Sequence, residues 1–248
     1  MPQKLQSYSK SHSHPEYGSK YEETYTRGYY FYQWEYIEKP LIKKIFNKLK
    51  LLKVESCLDI ACGTGRILSV VEVHFPKTFG VDISESMLMH AKNKCKQSFL
   101  VRSDIMKTPF SNTFDLITAF RYFLNAEKEL REKTLCNVYD LLSKDGFFVL
   151  NIHVNSRSIR GRYYTLRNKI SGRNIANVIE YNDLVSDLNK YGFSVAETYW
   201  YSYLPRIGPY LSFIPRWFMP ITERICRHTV LIPEFLAESF LIVCRKSD

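Results

Sequence analysis

The sequence predicts an α/β domain built on a mostly parallel sheet with helices packed on its faces. From Ser56 onward, short apolar runs alternate with stretches of helical periodicity, the pattern of parallel strands joined by crossover helices. The runs themselves, such as SCLDIA, TFGVDI and GFFVLNIH, are largely apolar instead of alternating, as strands covered on both faces must be. The chain has 248 residues, 45% of them hydrophobic. That is enough for one domain with a real core, and it excludes a chain that is mainly disordered.

Residues 1–20 are rich in Ser, His, Tyr and Lys and have no hydrophobic period, so a mobile tail is expected there. The run Ser11 to His14 lacks further spaced ligands and reads as solvated chain in preference to a metal site. No apolar secretory segment is visible, and a cytoplasmic location is expected. Residues 21–52 hold an aromatic segment followed by Leu41, Ile42, Ile45, Phe46 and Leu49 at helical spacing, with Pro40 suited to a helix start. An amphipathic helix preceded by aromatics follows from this.

The cofactor-sized core is expected over 56–153. Its strands are SCLDIA, TFGVDI, SFLVRSDI, FDLITAF and GFFVLNIH. Between them, GRILSVVEVHF, SESMLMHAKNKCK and EKELREKTLCNVYDLLS have helical periodicity, the second with Ser84 as its N-cap and Glu85 in its first turn. After a basic segment, NDLVSDLNKYGF predicts a helix ended by Gly192, followed by strands in FSVAETYWYSYL and FLAESFLIVC. Residues 21–248 therefore read as one domain with insertions at 154–181 and 204–236.

The longest charge-free apolar stretches fall well short of the ~20 residues needed to cross a bilayer. Six cysteines are scattered without CxxC pairs, which argues against zinc ribbons and disulfide frameworks and reads as buried small hydrophobes. A formal charge of +10 favours anionic partners: nucleic acid, a phosphorylated or carboxylated substrate, or an acidic lipid surface.

The most informative stretch is CLDIACGTGRI, residues 57–67: a strand, an acid, a turn of small residues, then a helix. Ala61, Gly63 and Gly65 leave the turn open, so a ligand can approach the backbone amides closely. A dinucleotide fingerprint requires G-x-G-x-x-G, and the third position here is Leu68. Asp59 would repel a pyrophosphate, whereas it suits a ligand carrying an ammonium and a sulfonium.

These residues resemble the first motif of the class I S-adenosylmethionine-dependent methyltransferases, roughly (D/E)-x-G-x-G-x-G, here Asp59-Ile60-Ala61-Cys62-Gly63-Thr64-Gly65 with Ala61 in place of the first glycine. The resemblance implies a Rossmann-like seven-stranded sheet with an antiparallel seventh strand, an N-terminal helical lid and a C-terminal cap. It also implies S-adenosylmethionine as methyl donor, S-adenosylhomocysteine as product, and no metal. Asp82, 23 residues after Asp59, stands near the spacing at which an acid meets the ribose hydroxyls. Ile83 and Met87 follow it on the cofactor side. Asp104 resembles the acid that reaches the adenine amine, beside Ile105, with a plain turn cap as the alternative. Phe120 in the fourth motif is expected between donor and acceptor.

Methyl transfer is an in-line displacement that needs alignment and exclusion of water. A hydroxyl or protonated amine acceptor also needs a base. His153 is the candidate, at the end of the fifth strand on the ligand side of an open α/β sheet, with a loop-capping histidine as the alternative. Tyr122 and Arg121 are secondary candidates for orienting the acceptor. Tyr25 and Tyr30 lie in the N-terminal aromatic segment, which either folds over the cofactor or packs on the sheet. The first insertion is basic, and Arg160 and Arg162 within it are candidates for binding a phosphate or carboxylate, an ordinary solvated face being the alternative. The second insertion, apolar and proline-punctuated, reads as a lid, a dimer contact or an interfacial patch on anionic lipid.

A small-molecule acceptor, anionic or with an apolar portion, is the expectation, in a monomer or homodimer. An RNA-modifying enzyme is the alternative suggested by the charge. It is disfavoured because Ala119-Phe120-Arg121-Tyr122 is not a (D/N/S)-P-P-(Y/F/W) box. A catalytically silent cofactor-binding scaffold is the third reading.

Overall fold

The computed structural model describes residues 17–107, 109–203, 218–228 and 232–247. The expected tail over 1–16 and much of the 204–236 insertion lie outside the described residues. At the centre is a seven-stranded sheet in the order β3-β2-β1-β4-β5-β7-β6. Its strands are β1 (Ser56–Ile60), β2 (Lys77–Asp82), β3 (Phe99–Arg102), β4 (Phe114–Ala119), β5 (Leu142–Ile152), β6 (Phe193–Tyr201) and β7 (Ser239–Lys246). The first five pair in parallel, and β7 runs antiparallel to both β5 and β6. The strand order reverses between β1 and β4, so a crevice opens beyond their carboxyl ends, where ligands of open α/β sheets bind.

Alternate strand residues feed two cores, one on each face. Leu58, Ile60, Ile117, Phe148, Leu150 and Ile242 belong to one. Cys57, Leu116, Phe147, Val149, Leu241 and Val243 belong to the other, where they meet Ile42, Ile45, Phe46 and Leu49. The amphipathic spacing thus does what it predicts: its helix packs an apolar stripe onto the sheet.

The helices are α1 (Tyr17–Thr24), α2 (Gly28–Gln33), α3 (Lys39–Leu51), α4 (Leu68–His74), α5 (Glu85–Lys94), α6 (Lys128–Leu141), α7 (Ile159–Ser171), α8 (Tyr181–Lys190) and α9 (Phe218–His228). Ser84 caps α5 by accepting from Met87 N–H. Beyond α8, Gly192 has φ +83°, and a Cβ there would stand 2.5 Å from the Tyr139 ring. A wide π-turn, Trp34–Glu38, joins α2 to α3 and carries Trp34, Ile37 and Glu38 inward.

Two expectations need correction. Helix α1 begins at Tyr17, inside the stretch read as tail. Gly18 lets it lie on α5, where a Cβ would come within 2.6 Å of Ser86 O, and Glu22 pairs with Lys94. The basic segment after β5, left without an assigned element above, forms α7, N-capped by Ser158. Finally, not every cysteine is buried, because Cys136 is exposed and Cys226 partly so. Among the described residues no helix is long and apolar enough to cross a membrane.

Candidate active site

β1 delivers Asp59 into a turn that ordinary side chains resist. Ala61, Gly63 and Gly65 have φ of 50°, 55° and 76°, the left-handed region that costs an L residue about 1–2 kcal/mol and glycine little. Ala61 therefore holds a glycine conformation, which explains in physical terms why the motif it resembles carries glycine there. Gly65 is constrained twice, since a Cβ would sit 2.8 Å from Cys95 Sγ and 3.0 Å from Ala91 Cβ. Gly65→Ala is expected to destabilise the fold by about 2–4 kcal/mol, combining strain and overpacking. An unchanged thermal midpoint would contradict that packing. At Gly63 a Cβ would meet only Ala61 O, at 3.9 Å, so the turn stays open on that side.

Two carboxylates flank this turn in different states. Asp82 takes Gly63 N–H on Oδ2 and Ser84 N–H on Oδ1, each at 2.8 Å, so it ties the turn after β1 to the start of α5. Asp59 is 1% exposed. Its Oδ1 accepts from Thr118 Oγ1 at 2.6 Å, while Oδ2 is buried with no hydrogen-bond partner. Burial pushes the Asp59 carboxyl up to about 7, the Thr118 bond opposing this and the nearby Asp82 charge adding to it.

A cavity of about 230 Å³ lies at the crevice between β1 and β4. Asp59, Ala61, Gly63 and Thr64 line it from the first turn, and Asp82, Ile83 and Met87 from the second. Asp104 and Ile105 enter from the end of β3, Phe120, Arg121 and Tyr122 from β4, and His153 from the end of β5. Asp104 Oδ1 also accepts from Met106 N–H at 3.0 Å, so this residue caps its own turn while facing the cavity. Tyr122 is nearly fully buried and pairs its hydroxyl with Thr134 Oγ1 at 2.7 Å; burial pushes the phenol up to about 12.

Four of the sequence candidates stand away from this lining, together with Gly65, which sits behind it against α5. Tyr25 stacks on a guanidinium and Tyr30 packs edge-on against Tyr25. Arg160 is held by Glu238 at 2.9 Å and by the Tyr164 hydroxyl, and Arg162 is exposed with its Nε donating to Arg157 O. The basic insertion thus engages its own neighbours and solvent instead of the cavity.

On the remaining wall the sequence pointed to Arg121 but not to Arg66, nor to the Glu38 that holds both. Glu38, 3% exposed, accepts from Arg121 Nη2 at 3.2 Å, Arg66 Nη1 at 3.4 Å and the Tyr201 hydroxyl at 3.1 Å. Both arginines line the cavity, and the Nε of each is buried without an acceptor. Two guanidiniums share the Glu38 carboxylate, so this wall is rich in positive charge. Aromatic faces cover it: the Arg66 guanidinium lies 4.0 Å from the Tyr25 ring centroid and 4.5 Å from that of Trp34. Tyr21 of α1 lines the cavity as well. Burial raises its phenol pKa, but the Arg66 and Arg121 charges outweigh this and leave it below the usual tyrosine range. Asn151 Oδ1 accepts Arg121 N–H at 2.7 Å and so fixes the positive φ, 58°, of that residue.

Residues 57–146 match the methyltransferase domain family. That segment runs from β1 into β5 and holds the open turn, Asp82 and Asp104. Relatives of the chain include demethylmenaquinone methyltransferase of Bacteroides fragilis, 30% identical over 54% of this chain and 58% of that one. A dTDP-3-amino-3,4,6-trideoxy-alpha-D-glucopyranose N,N-dimethyltransferase of Streptomyces venezuelae is 31% identical over 27% of this chain and 28% of its own length. The match spans less than two thirds of each of these curated relatives. In solved structures, the methyltransferase fold is shared with magnesium protoporphyrin IX methyltransferase from Synechocystis PCC 6803 with bound S-adenosylhomocysteine. The TM-score is 0.61 at 16% identity, over 92% of this chain and 93% of that one. The N-methyltransferase NodS of Bradyrhizobium japonicum WM9, in complex with the same molecule, gives 0.62 at 12% identity, over 93% and 98%.

Proposed function

We propose that the domain transfers a methyl group from S-adenosylmethionine to an oxygen or nitrogen of a small-molecule acceptor. Asp59 carries the donor reading. A buried carboxylate oxygen without a partner, at the wall of a cavity, is stabilised by a cationic donor, and the methionine ammonium is one. Asp82 lines the cavity beside the open turn and is the acceptor for the ribose hydroxyls. Asp104 suits the adenine amine, with Ile83, Met87 and Ile105 supplying apolar contact to the base. When bound, the donor supplies an electrophilic methyl on a sulfonium.

The protein's task is then alignment, exclusion of water and one proton transfer. Phe120 and the Tyr21 ring narrow the space around the reacting centre. His153, just past the carboxyl end of β5, receives the acceptor's proton. The shared Glu38 leaves positive charge on the Arg66 and Arg121 pair, which favours an acceptor carrying a carboxylate or phosphate close to its nucleophile. The names of the relatives, a demethylmenaquinone enzyme and an aminosugar nucleotide enzyme, support a small organic acceptor.

The raised Asp59 pKa gives a test that needs no acceptor. The ligand-free carboxyl is partly protonated near neutrality, whereas the ionised form is the one that pairs with an ammonium. Affinity for S-adenosylhomocysteine is expected to fall as pH drops from about 8 to about 6, with proton release on binding. Asp59→Asn is expected to remove that dependence. The linkage to folding has the opposite sense: a carboxyl raised in the fold stabilises it below the usual range near pH ~3.9 and loses that contribution as pH rises through the folded value. Ligand-free Asp59→Asn should therefore gain on the wild type at alkaline pH. Titration calorimetry in buffers of different ionisation enthalpy measures the proton, and a pH-independent affinity in the wild type would remove Asp59 from the donor site.

A further inference from the structure

Helix α7 presents an apolar stripe to solvent. Ile159 is 63% exposed, Tyr163 53%, Leu166 56% and Ile170 76%. At about 100° per residue these four positions fall within an arc of about 60°. The inward side is formed by Gly161, which is buried, and by Arg160, Tyr164 and Asn168, which are half-buried. A helix that turns polar residues inward and four large apolar ones outward is oriented against the usual rule for a surface helix.

The charges on α7 are equally one-sided. Arg162 and Lys169 border the stripe on one side and Arg167 on the other, and Arg173 follows just past the helix end; all four are exposed. None of them has an ion-pair partner among the described residues, and the sequence contains no acid from Gly146 to Ile179. Face-to-face association with a second copy would bring these like charges together. An anionic surface relieves them.

We infer that α7 is an interfacial helix that lays the domain on an anionic lipid bilayer, with Ile159, Tyr163, Leu166 and Ile170 in the acyl boundary and Arg162, Arg167 and Lys169 at the headgroups. This pattern of apolar stripe and cationic border is what binds such surfaces. The helix, about 20 Å long, lies flat and does not span. The inference is independent of the methyl-transfer reading, because it uses no residue of the cavity.

Sedimentation with phosphatidylcholine vesicles, with and without phosphatidylglycerol, tests it on the full chain. The wild type is expected to bind the anionic vesicles, to bind the neutral ones weakly, and to be released by salt. The double variant Leu166→Asp/Ile170→Asp is expected to lose about tenfold or more in partitioning. The triple variant Arg162→Gln/Arg167→Gln/Lys169→Gln is expected to lose the preference for anionic lipid. All five positions are exposed, so thermal midpoints and S-adenosylhomocysteine binding should match the wild type. Absence of binding to anionic vesicles, equal binding to neutral ones, or no effect of either variant would overturn the inference. So would a stable wild-type dimer in light scattering that Leu166→Asp/Ile170→Asp dissociates.

Discussion

Replacing Asp82 by alanine is expected to weaken S-adenosylhomocysteine binding by about 1.5–3 kcal/mol, roughly tenfold to more than a hundredfold. The carboxylate acts twice. It accepts the Gly63 and Ser84 amides at 2.8 Å each, which fixes the open turn relative to α5, and it is the proposed acceptor for the ribose hydroxyls. Alanine removes both contributions and leaves the two amides without their acceptor. Asp82→Asn keeps the shape and one acceptor oxygen, so its loss should be intermediate. Titration calorimetry reads the affinities, and thermal midpoints separate a loosened turn from a lost ligand contact. Unchanged affinity in the alanine variant would remove Asp82 from the donor site.

His153→Gln is expected to lower kcat by about 10²-fold or more while leaving donor affinity within about twofold of the wild type. His153 follows β5 directly and lines the same cavity as Asp59. Glutamine retains hydrogen bonding and approximate size but cannot take a proton at neutral pH, so a base and a packing residue separate cleanly. A label-transfer screen over sugar nucleotides, aminosugars, phenolics, lipids and RNA supplies the acceptor for the measurement. Wild-type turnover in the glutamine variant would assign His153 to the rim alone.

Sequence periodicity reached most of the fold because the sheet is covered on both faces. Cys57 and Leu58, or Phe148 and Val149, enter opposite cores, and such strands appear as unbroken apolar runs that are easily told from their helices. The stripe of α3 was legible for the same reason. Helix α7 was not, although Ile159, Tyr163, Leu166 and Ile170 have helical spacing, because their apolar face meets no core and basic residues interrupt it. The start of α1 was hidden in a polar stretch whose helicity comes from docking on α5, a tertiary contact made possible by Gly18.

The cavity divides along similar lines. Its local part, from Asp59 to Thr64 and on to Asp82, follows from a strand-to-helix turn and a spacing, both of which are linear features. Its non-local part is the Arg66 and Arg121 pair, held from behind by Glu38, which also takes the Tyr201 hydroxyl; these four residues are spread over most of the chain and meet through buried hydrogen bonds. Nothing in their spacing pairs them. Arg66 adjoins the motif and Glu38 stands in the aromatic segment, yet only the π-turn brings that carboxylate to both guanidiniums. Arg160 and Arg162 were drawn to attention by composition, which reports charge but not the partner that holds it.

The cavity between β1 and β4 is the proposed S-adenosylmethionine site. Calorimetric titration of the wild-type chain with S-adenosylhomocysteine at about pH 8, with the thermal midpoint followed alongside, tests this most directly. One site per chain, a raised midpoint and a weaker isotherm in Asp82→Ala are predicted. No heat and no midpoint shift at saturating ligand would contradict it.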